Sequence, residues 1–427
     1  MKGCSWLFSG IGASVLLLEA AAAPPPTPIF ISKDRIEQGP FGFTELKELT
    51  SSDKPAFPLF LQWSRALPRD ITWAFSQGER ATPLLVEGQL WVGTSRAKGI
   101  RILEPRVGAT VRVLPLKGGV EAPMVQDPAS GDVLVADNAG FVSRFRKDGS
   151  RVWEFESGGP FTTSPLLAGD KVLVRTTDGD LVALNAESGE QLWSYKRDRK
   201  RGEGLSIFGS GMPAVVDNRV LAGFDDGAAV ALNLGDGTLI WEQTVLADER
   251  WVDVDGSPLV LSGDRVIFPA FRGTTVCLRV SSGELLWKSP HGGVAAPLGL
   301  ASGKVLLTDS DGYVVGLNGE NGERLWRWEV PGKVVPVSPV LWRGLVVVGT
   351  SSGELFMLDP ESGEVRWTLS PEVLFMGFSS PPLLTEQALY FVSDGGYVYA
   401  YGASDYRTPE IMLQGEGIDR LATAPLR

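Results

Sequence analysis

Cysteine and histidine are scarce in this sequence: its 427 residues contain two cysteines and one histidine. Cys4 lies in a predicted secretion signal, so cleavage would leave Cys277 alone and exclude an internal disulfide from the mature protein. His291 stands in "SPHGGVAAP", which suits a loop residue better than a catalytic base or metal ligand. We find no nucleophile–base pair, metal-ligand spacing or phosphate-binding loop, so we predict no catalytic, cofactor-binding or metal-binding residues.

Basic charge and long apolar runs are also limited. Lys and Arg number 40 against 51 Asp and Glu, a net charge of −11, which argues against a nucleic-acid-binding protein. The apolar stretch Ser5 to Leu18 is shorter than the roughly 20 residues that a spanning helix needs. Lys2 before this stretch and Ala20 to Ala23 after it predict a secretion signal at residues 1–23 and an exported protein.

A repeated motif organises the rest of the chain. Five segments share one pattern, with Gly four residues before Trp: "ALNAESGEQLW", "ALNLGDGTLIW", "CLRVSSGELLW", "GLNGENGERLW" and "MLDPESGEVRW". A shorter variant ends at Trp153, and from there the Trp residues are spaced by 40, 48, 46, 39 and 41 positions. A period of this length indicates a propeller or solenoid array. We expect each Trp to bury its ring between neighbouring units.

A proline in step with the Trp begins each unit. The eight prolines are Pro83, Pro123, Pro165, Pro213, Pro258, Pro297, Pro339 and Pro381. Each Pro enters a short apolar run, where its missing N–H breaks no ladder bond, and tight turns such as Asp226-Gly227 follow. Four antiparallel strands per unit, A to D, are thus predicted. The fold class is all-β: an eight-bladed β-propeller with four-stranded antiparallel blades.

Closure of the ring needs one more strand, because the last unit has no Trp strand after it. The segment "ITWAFSQG" around Trp73 precedes the first unit, and we predict that this N-terminal strand pairs with the last blade. The predicted organisation is a signal at 1–23, a Pro-rich N-terminal extension at 24–66, the propeller at 67–403 and a C-terminal tail at 404–427. Within the extension, "FTELKEL" suggests a short helix.

Two connections between blades are longer than the others. From Trp to Pro the chain takes 20 residues before Pro213 and 17 before Pro258, against 10 to 14 for the other units from Pro165 onward. In a propeller, the D-to-A connections and the B-to-C hairpins lie on one face, so these two loops belong to adjacent blades on the same side. Insertions on one face usually mark a binding site.

The first loop is basic although the chain is acidic. It carries Lys196, Arg197, Arg199, Lys200 and Arg201, which suit either a solvated tip or an electrostatic contact with an acidic partner. The apolar residues Leu205, Ile207 and Phe208 follow on the same loop, either as partner contacts or as strand residues packed beneath it. The second loop contains "DVD", Asp253 to Asp255.

The Gly-x-x-x-Trp repeat, the eight units and the two long loops resemble the family of the outer-membrane assembly factor BamB, within the wider quinoprotein-type propellers. In that family the first loop carries Leu-x-Leu-Arg-Gly and the next blade carries Asp-Val-Asp. These segments match "LSIFG" and "DVD" here, with Phe208 standing where the family has Arg. The resemblance assigns partner binding to Leu205, Ile207, Phe208, Asp253 and Asp255.

The resemblance also implies a function and a location. It predicts a non-enzymatic scaffold that docks on the periplasmic domains of a BamA-like barrel insertase, as a monomer within a larger complex, with unfolded outer-membrane proteins as further partners. The location implied is the periplasm of a Gram-negative envelope, peripheral to the outer membrane. The family is lipidated at a Cys just after the signal, whereas residues 20–23 here are all Ala, which argues against a lipid anchor.

Two alternatives remain open from the residues. One is an exported propeller that binds a ligand or a polysaccharide, which nothing in the repeat excludes. The other is a dehydrogenase dependent on pyrroloquinoline quinone (PQQ), because propellers of this wider set include such enzymes. Those enzymes use an adjacent Cys pair beside the cofactor, and no Cys-Cys occurs here.

Overall fold

A computed structural model describes residues 36–37, 59–68, 79–161, 163–177, 179–197, 211–245, 254, 256–270, 273–370, 376–386 and 388–403. These residues form eight antiparallel sheets, and in seven of them the strands follow one another in chain order, as predicted for an eight-bladed β-propeller. The 404–427 tail and the "FTELKEL" segment lie outside the described residues.

Blades 1 to 7 each contain four consecutive strands, with the first of them inside and the last outermost. The strands of blades 1 to 4 are β3 (Leu84–Val86), β4 (Gln89–Val92), β5 (Ile100–Leu103), β6 (Thr110–Leu114); β7 (Val125–Gln126), β8 (Val133–Ala136), β9 (Phe141–Phe145), β10 (Arg151–Glu156); β11 (Leu166–Ala168), β12 (Lys171–Arg175), β13 (Leu181–Asn185), β14 (Gln191–Tyr195); and β15 (Ala214–Val216), β16 (Arg219–Gly223), β17 (Ala228–Asn233), β18 (Leu239–Thr244).

Blades 5 to 8 repeat the arrangement, and a 3-10 turn at Pro331–Lys333 joins blades 6 and 7. Their strands are β19 (Leu259–Leu261), β20 (Arg265–Pro269), β21 (Thr275–Arg279), β22 (Leu285–Ser289); β23 (Leu298–Gly299), β24 (Lys304–Thr308), β25 (Tyr313–Asn318), β26 (Arg324–Glu329); β27 (Val340–Trp342), β28 (Leu345–Gly349), β29 (Leu355–Leu358), β30 (Val365–Leu369); and β31 (Leu383–Leu384), β32 (Ala388–Val392), β33 (Tyr397–Ala403). The innermost strand of every blade begins one or two residues after the repeated proline, which confirms the predicted strand starts.

An N-terminal strand closes the ring, but it is not the one that we predicted. The outer strand of blade 8 is β2 (Leu59–Ala66), which pairs antiparallel with β33 from Leu59↔Ala403 to Ala66↔Tyr397. The segment around Trp73 lies outside the described residues. The ring therefore begins at residue 59 rather than 67, inside the predicted extension. The repeated motif does not include β2, because the Gly of the motif lies in the turn between strands C and D. Blade 8 has no such turn, since its outer strand β2 comes from the N-terminal part of the chain and β33 from the C-terminal part.

A second part of the predicted extension also joins a blade. The two-residue strand β1 (Ile36–Glu37) pairs antiparallel with β15, the innermost strand of blade 4, with Ile36 opposite Val216 and Glu37 opposite Val215. Blade 4 is therefore a five-stranded sheet. The expectation that residues 24–66 lie wholly outside the ring is wrong at these residues and at β2.

The repeated Trp and Gly meet across the joints between blades. The indole N–H of Trp153, on the outer strand of blade 2, donates to the carbonyl of Ala186 in blade 3 at 3.0 Å. Gly189, in the same turn of blade 3, has φ +75°, and a β-carbon there would lie 2.6 Å from the Trp153 ring. Only glycine fits both this backbone conformation and this close approach. The motif thus joins blade 2 to blade 3, which confirms the predicted packing role of Trp.

The same contact recurs around the ring. Trp and Gly pair in this way at the following joints: Trp193 with Gly237, Trp241 with Gly283, Trp287 with Gly322, Trp326 with Gly363, and Trp63 with Gly108. Blade 1 departs from the rule, because Arg112 occupies the Trp position of β6, opposite Ile102, and lies against Gly149 of blade 2.

The hydrophobic core lies between the blades. In the cluster between blades 2 and 3, for example, Leu134 and Val142 pack with Val172 and Leu184, and all four side chains are buried.

Within the part of the chain that the structure describes, no helix combines the length and the apolar character that a membrane crossing requires.

Backbone hydrogen bonds define two faces of the ring. Val120 and Val254, which lead into blades 2 and 5, donate from their amides to Thr94 and Phe224 at the B-to-C turns. On the other face, the C-to-D turn contacts the A-to-B turn, as when the Ala186 amide donates to Asp170. The D-to-A connections and the B-to-C turns therefore share one face, as predicted.

Candidate partner-binding site

The two long loops, 194–213 and 242–258, form the candidate site, and the structure describes both ends of each. All five predicted partner-binding residues, Leu205, Ile207, Phe208, Asp253 and Asp255, lie outside the described residues, as do Arg199, Lys200 and Arg201. The described ends show how the ring holds the two loops. They run from residue 194 to 197, from 211 to 213, from 242 to 245 and from 256 to 258, with Val254 between.

An arginine joins the starts of the two loops. Arg197, just after β14, places Nε 2.6 Å from Oδ2 of Asp226 and Nη2 2.8 Å from Oε1 of Glu242. Asp226 belongs to the B-to-C turn of blade 4, and Glu242 lies in β18, the outer strand from which the second loop continues. The guanidinium therefore fixes the first loop to blade 4 and to the start of the second loop.

Burial and the neighbouring carboxylates act in opposite directions on the pKa of Arg197. Its side chain is largely buried, and burial alone lowers the pKa of the guanidinium. The hydrogen bonds to Glu242 and Asp226 outweigh that effect and hold the pKa above its ordinary value. Arg197 therefore stays charged and paired. Lys196 lies 3.6 Å from Asp180, so two of the five predicted basic residues face acids of the ring itself.

Phe224 packs at the base of the two loops, against their described residues. Its ring is fully buried, with the guanidinium carbons of Arg175 and Arg197 at 5.0 and 5.5 Å from its centroid. Arg175 also donates through Nη1 to the Gly211 carbonyl at 3.0 Å, which holds the far end of the first loop. Cation–π contacts of this kind are strongest where water is excluded.

The ends of the two loops are joined as well. The Met212 amide donates to Oγ of Ser257 at 3.1 Å, directly before the prolines that begin blades 4 and 5. The Val254 amide donates to the Phe224 carbonyl at 3.1 Å. Both loops therefore leave from and return to the same face of neighbouring blades, and their described ends lie together as the sequence predicts.

Sequence reasoning did not identify three of the residues that hold the loops. Arg175, Phe224 and Asp226 appear in the sequence as parts of strands and turns, and Asp226-Gly227 was recognised only as a tight hairpin. The signal available was Arg175, a charged residue within the apolar run "KVLVR".

Among the described residues, no group of three or more His, Cys, Asp and Glu side chains could hold a metal ion.

Comparison with known proteins gives a consistent family. A sequence model described as "Outer membrane protein assembly factor BamB" matches residues 96–328, 281–373 and 310–408. The outer membrane protein assembly factor BamB of Yersinia pestis is 29% identical over 261 residues, which cover 60% of this chain and 64% of that protein. The chain thus spans just under two thirds of that relative's length.

Solved structures share the fold. The crystal structure of BamB from Moraxella catarrhalis superposes with a TM-score of 0.67 at 20% identity, covering 81% of this chain and all of that one. A europium-containing methanol dehydrogenase gives a TM-score of 0.61 at 13% identity, covering 84% of this chain and 96% of that one. At these identities both similarities show the propeller fold alone.

Proposed function

The chain belongs to the family of the outer membrane protein assembly factor BamB, and from that membership we propose that it is a periplasmic, non-enzymatic scaffold for outer-membrane protein assembly. In this proposal, loops 194–213 and 242–258 dock on the periplasmic domains of a BamA-like barrel insertase. The family match across residues 96–408 is the observation that carries the proposal.

The geometry at the base of the loops supports docking by both loops together. Arg197 bonds the start of the first loop to β18, from which the second loop continues, and the Met212–Ser257 hydrogen bond joins their ends, so the described ends of the two loops lie side by side. Loops that are anchored at both ends lose less conformational entropy when they bind a partner. The proposed contacts are Leu205, Ile207 and Phe208 on the first loop and Asp253 and Asp255 on the second. With Phe208 in place of the family's Arg, the first loop would bind through apolar packing.

The mechanism in this proposal is non-covalent. The ring is a rigid platform, and its bound position beside the insertase would orient that protein toward incoming barrel precursors. Binding through extended backbone segments would contribute to docking, because main-chain hydrogen bonds provide affinity with little side-chain demand. The protein would lie at the periplasmic side of the outer membrane, held there by its partner.

A binding measurement tests the proposal. Purified mature protein is titrated against the purified periplasmic domains of the insertase from the same organism, by biolayer interferometry. We expect Leu205→Asp combined with Asp253→Ala to weaken binding at least tenfold, since both loops contribute contacts. The matched control is Leu285→Asp, at an exposed apolar position on the outer strand of blade 5.

Two outcomes would contradict the proposal. One is an absence of binding by the wild-type protein, and the other is unchanged binding by the double variant with intact thermal unfolding. A separate incubation with PQQ and calcium tests the enzymatic alternative. We expect no bound-cofactor absorbance after desalting.

A further inference from the structure

The outer strand of blade 1 differs from the outer strands of the other seven blades. In those blades the residue after the Trp position is polar: Ser64, Glu154, Ser194, Glu242, Lys288, Arg327 and Thr368. In blade 1 this position is Val113, one residue after Arg112, and Val113 lies opposite Arg101 in the β5–β6 pair. Val113 is 49% exposed and Val111 is 55% exposed. Blade 1 thus presents two β-branched apolar side chains on its outermost strand.

This strand is an open sheet edge. The sheet order is β3-β4-β5-β6, and within the described residues no strand pairs with the outer side of β6. An edge strand presents alternate N–H and C=O groups away from its neighbour, and proteins usually protect such edges with charged side chains. Four of the five residues of β6 are exposed, and only Arg112 among them is charged. The edge is therefore suited to accept a further strand.

The surroundings of this edge are basic, in contrast to the protein as a whole. Residues 79–118, which make up blade 1, contain seven Lys and Arg against three Glu, in a chain of net charge −11. Arg112 lies within β6 itself, and its guanidinium packs against Gly149 of blade 2. Arg151, from blade 2, donates to the Pro115 carbonyl at 2.5 Å, immediately after the strand ends. Guanidinium groups of two blades thus lie beside β6, although that of Arg151 also pairs with Glu154 at 2.6 Å.

We propose that the outer edge of β6 is a second docking surface, which binds an extended acidic segment of a partner protein, with alternating apolar and acidic residues, as an added β-strand. Backbone hydrogen bonds to β6 would supply affinity, the apolar side chains of the segment would cover Val111 and Val113, and its carboxylates would face the surrounding arginines. Charge complementarity selects an acidic segment over a basic one. This surface is separate from loops 194–213 and 242–258.

A synthetic peptide tests the proposal directly. The probe is a fluorescent ten-residue peptide that alternates valine and glutamate, with a valine–lysine peptide of the same length as its counterpart. Both are titrated against the mature protein by fluorescence anisotropy. We expect the glutamate peptide to bind at least tenfold more tightly than the lysine peptide, and added salt to weaken it.

Variants locate the peptide on the ring. Val113→Glu should weaken binding of the glutamate peptide at least fivefold, because it places a carboxylate on the edge. Thr368→Glu makes the same change at the equivalent position of blade 7 and should leave binding unchanged. If Val113→Glu lowers the unfolding temperature, Val113→Thr keeps the β-branched shape, and we expect it to give a smaller weakening of the same sign.

Methylated peptides test the binding mode. N-methylation of alternate residues blocks one hydrogen-bonding edge of the peptide, and shifting the methyl groups by one residue blocks the other edge. We expect one methylated series to lose binding at least tenfold and the other to bind like the parent. Equal loss in both series would overturn the proposal, as would equal affinity for the lysine peptide.

Two further measurements distinguish this proposal from docking by the two loops and from self-association. The Leu205→Asp, Asp253→Ala variant should bind the peptide normally, so failure of the loops as a docking site leaves the edge testable by itself. Sedimentation of the wild-type protein should show a monomer. Self-association that Val113→Glu abolishes would identify a second copy as the occupant and overturn the proposal.

Discussion

Trp63, in the strand that closes the ring, lies against Gly108 of blade 1 and donates its indole N–H to the Pro105 carbonyl at 2.8 Å. This contact joins the N-terminal strand, carried by the last blade, to the first blade. It is the same contact that Trp153 makes with Gly189 in the middle of the chain. The closing joint is therefore built like the joints inside the ring, and the two ends of the ring in the sequence meet instead in the β2–β33 pair.

The first prediction concerns this joint. Gly108 has φ +68°, and a β-carbon there would lie 2.5 Å from Cε3 of Trp63, so Gly108→Ala combines backbone strain with overpacking. We expect a loss of roughly 2 to 4 kcal/mol in the free energy of unfolding, measured by urea denaturation. Gly158→Ala is the control, since nothing lies within 4 Å of a β-carbon at that position. Equal effects of the two substitutions would contradict this account.

A second prediction concerns the base of the loops. Arg197→Lys keeps the positive charge but loses the planar fork that contacts Asp226 and Glu242 at once. Because both carboxylates are partly exposed, we expect a stability cost of only about 1 kcal/mol. Binding to the insertase domains should weaken more than this cost suggests, since the two loops lose their common anchor. Lys196→Ala serves as the control, and an effect as large as that of Arg197→Lys would count against the anchoring role.

The third prediction follows from a buried carboxylate at the same closing joint. Glu79, in the segment that leads into blade 1, accepts hydrogen bonds from the Thr94 hydroxyl and the Ser95 amide, each at 2.8 Å. Its own amide donates to Asp394 of blade 8 at 2.8 Å. Burial raises the pKa of Glu79 above its ordinary value of 4.5, although these bonds and Arg96 act in the opposite direction.

The sign of the resulting pH dependence follows from that direction. A carboxyl whose pKa is raised by folding favours the folded state while it is protonated, and this contribution is lost as the pH rises from about 4.5 through the folded-state pKa. We therefore expect Glu79→Gln to reduce the fall in unfolding free energy over that range. Asp148→Asn is the opposite control, because hydrogen bonds from Ser150 lower the pKa of Asp148. A Glu79→Gln profile parallel to that of wild type would refute the prediction.

Cys277 gives a fourth prediction. It lies in β21, fully buried, and burial raises the pKa of its thiol to about 12. The reactive thiolate is therefore almost absent at neutral pH. In a Cys4→Ser variant, we expect no alkylation by iodoacetamide in native buffer and complete alkylation of the single thiol in urea, followed by mass spectrometry. Modification at the same rate in both conditions would show that the thiol is accessible in the folded protein.

Periodic sequence features predicted most of the fold, because each was a local requirement repeated many times. Pro339, for example, directly precedes an inner strand, where the ladder needs no N–H, and Asp311-Gly312 forms a hairpin turn in which Gly312 takes a positive φ. The partner of each Gly was not predictable, because Gly189 belongs to one repeat while Trp153 belongs to another. The closing strand was not predicted for a related reason. Trp63 contacts Gly108 of blade 1, but it has no Gly four residues before it in the sequence.

The candidate site was predicted by loop length rather than by chemistry. Two connections stood out because they exceed the others by several residues, and the structure shows that their ends share hydrogen bonds. The side chains that hold them could not be inferred, because Phe224 and Arg175 approach each other only after blades 3 and 4 have packed together. Contacts across a joint depend on the curvature of the whole ring, which local patterns do not contain.

The contact between Trp and Gly has the same orientation at every joint where it occurs. At each of the six joints where Trp meets Gly, the indole contacts the blade that comes later in the chain, and the closing Trp63 continues that order from the last blade to the first. Lengthening or shortening such a protein by one complete repeat of this kind keeps each of these tryptophans beside a glycine of the next blade. Blade 8 is itself divided between its third strand and its outer strand, yet the Trp63–Gly108 contact is kept because β2 returns to the last blade, so the order of the blades preserves the contact wherever the chain is divided.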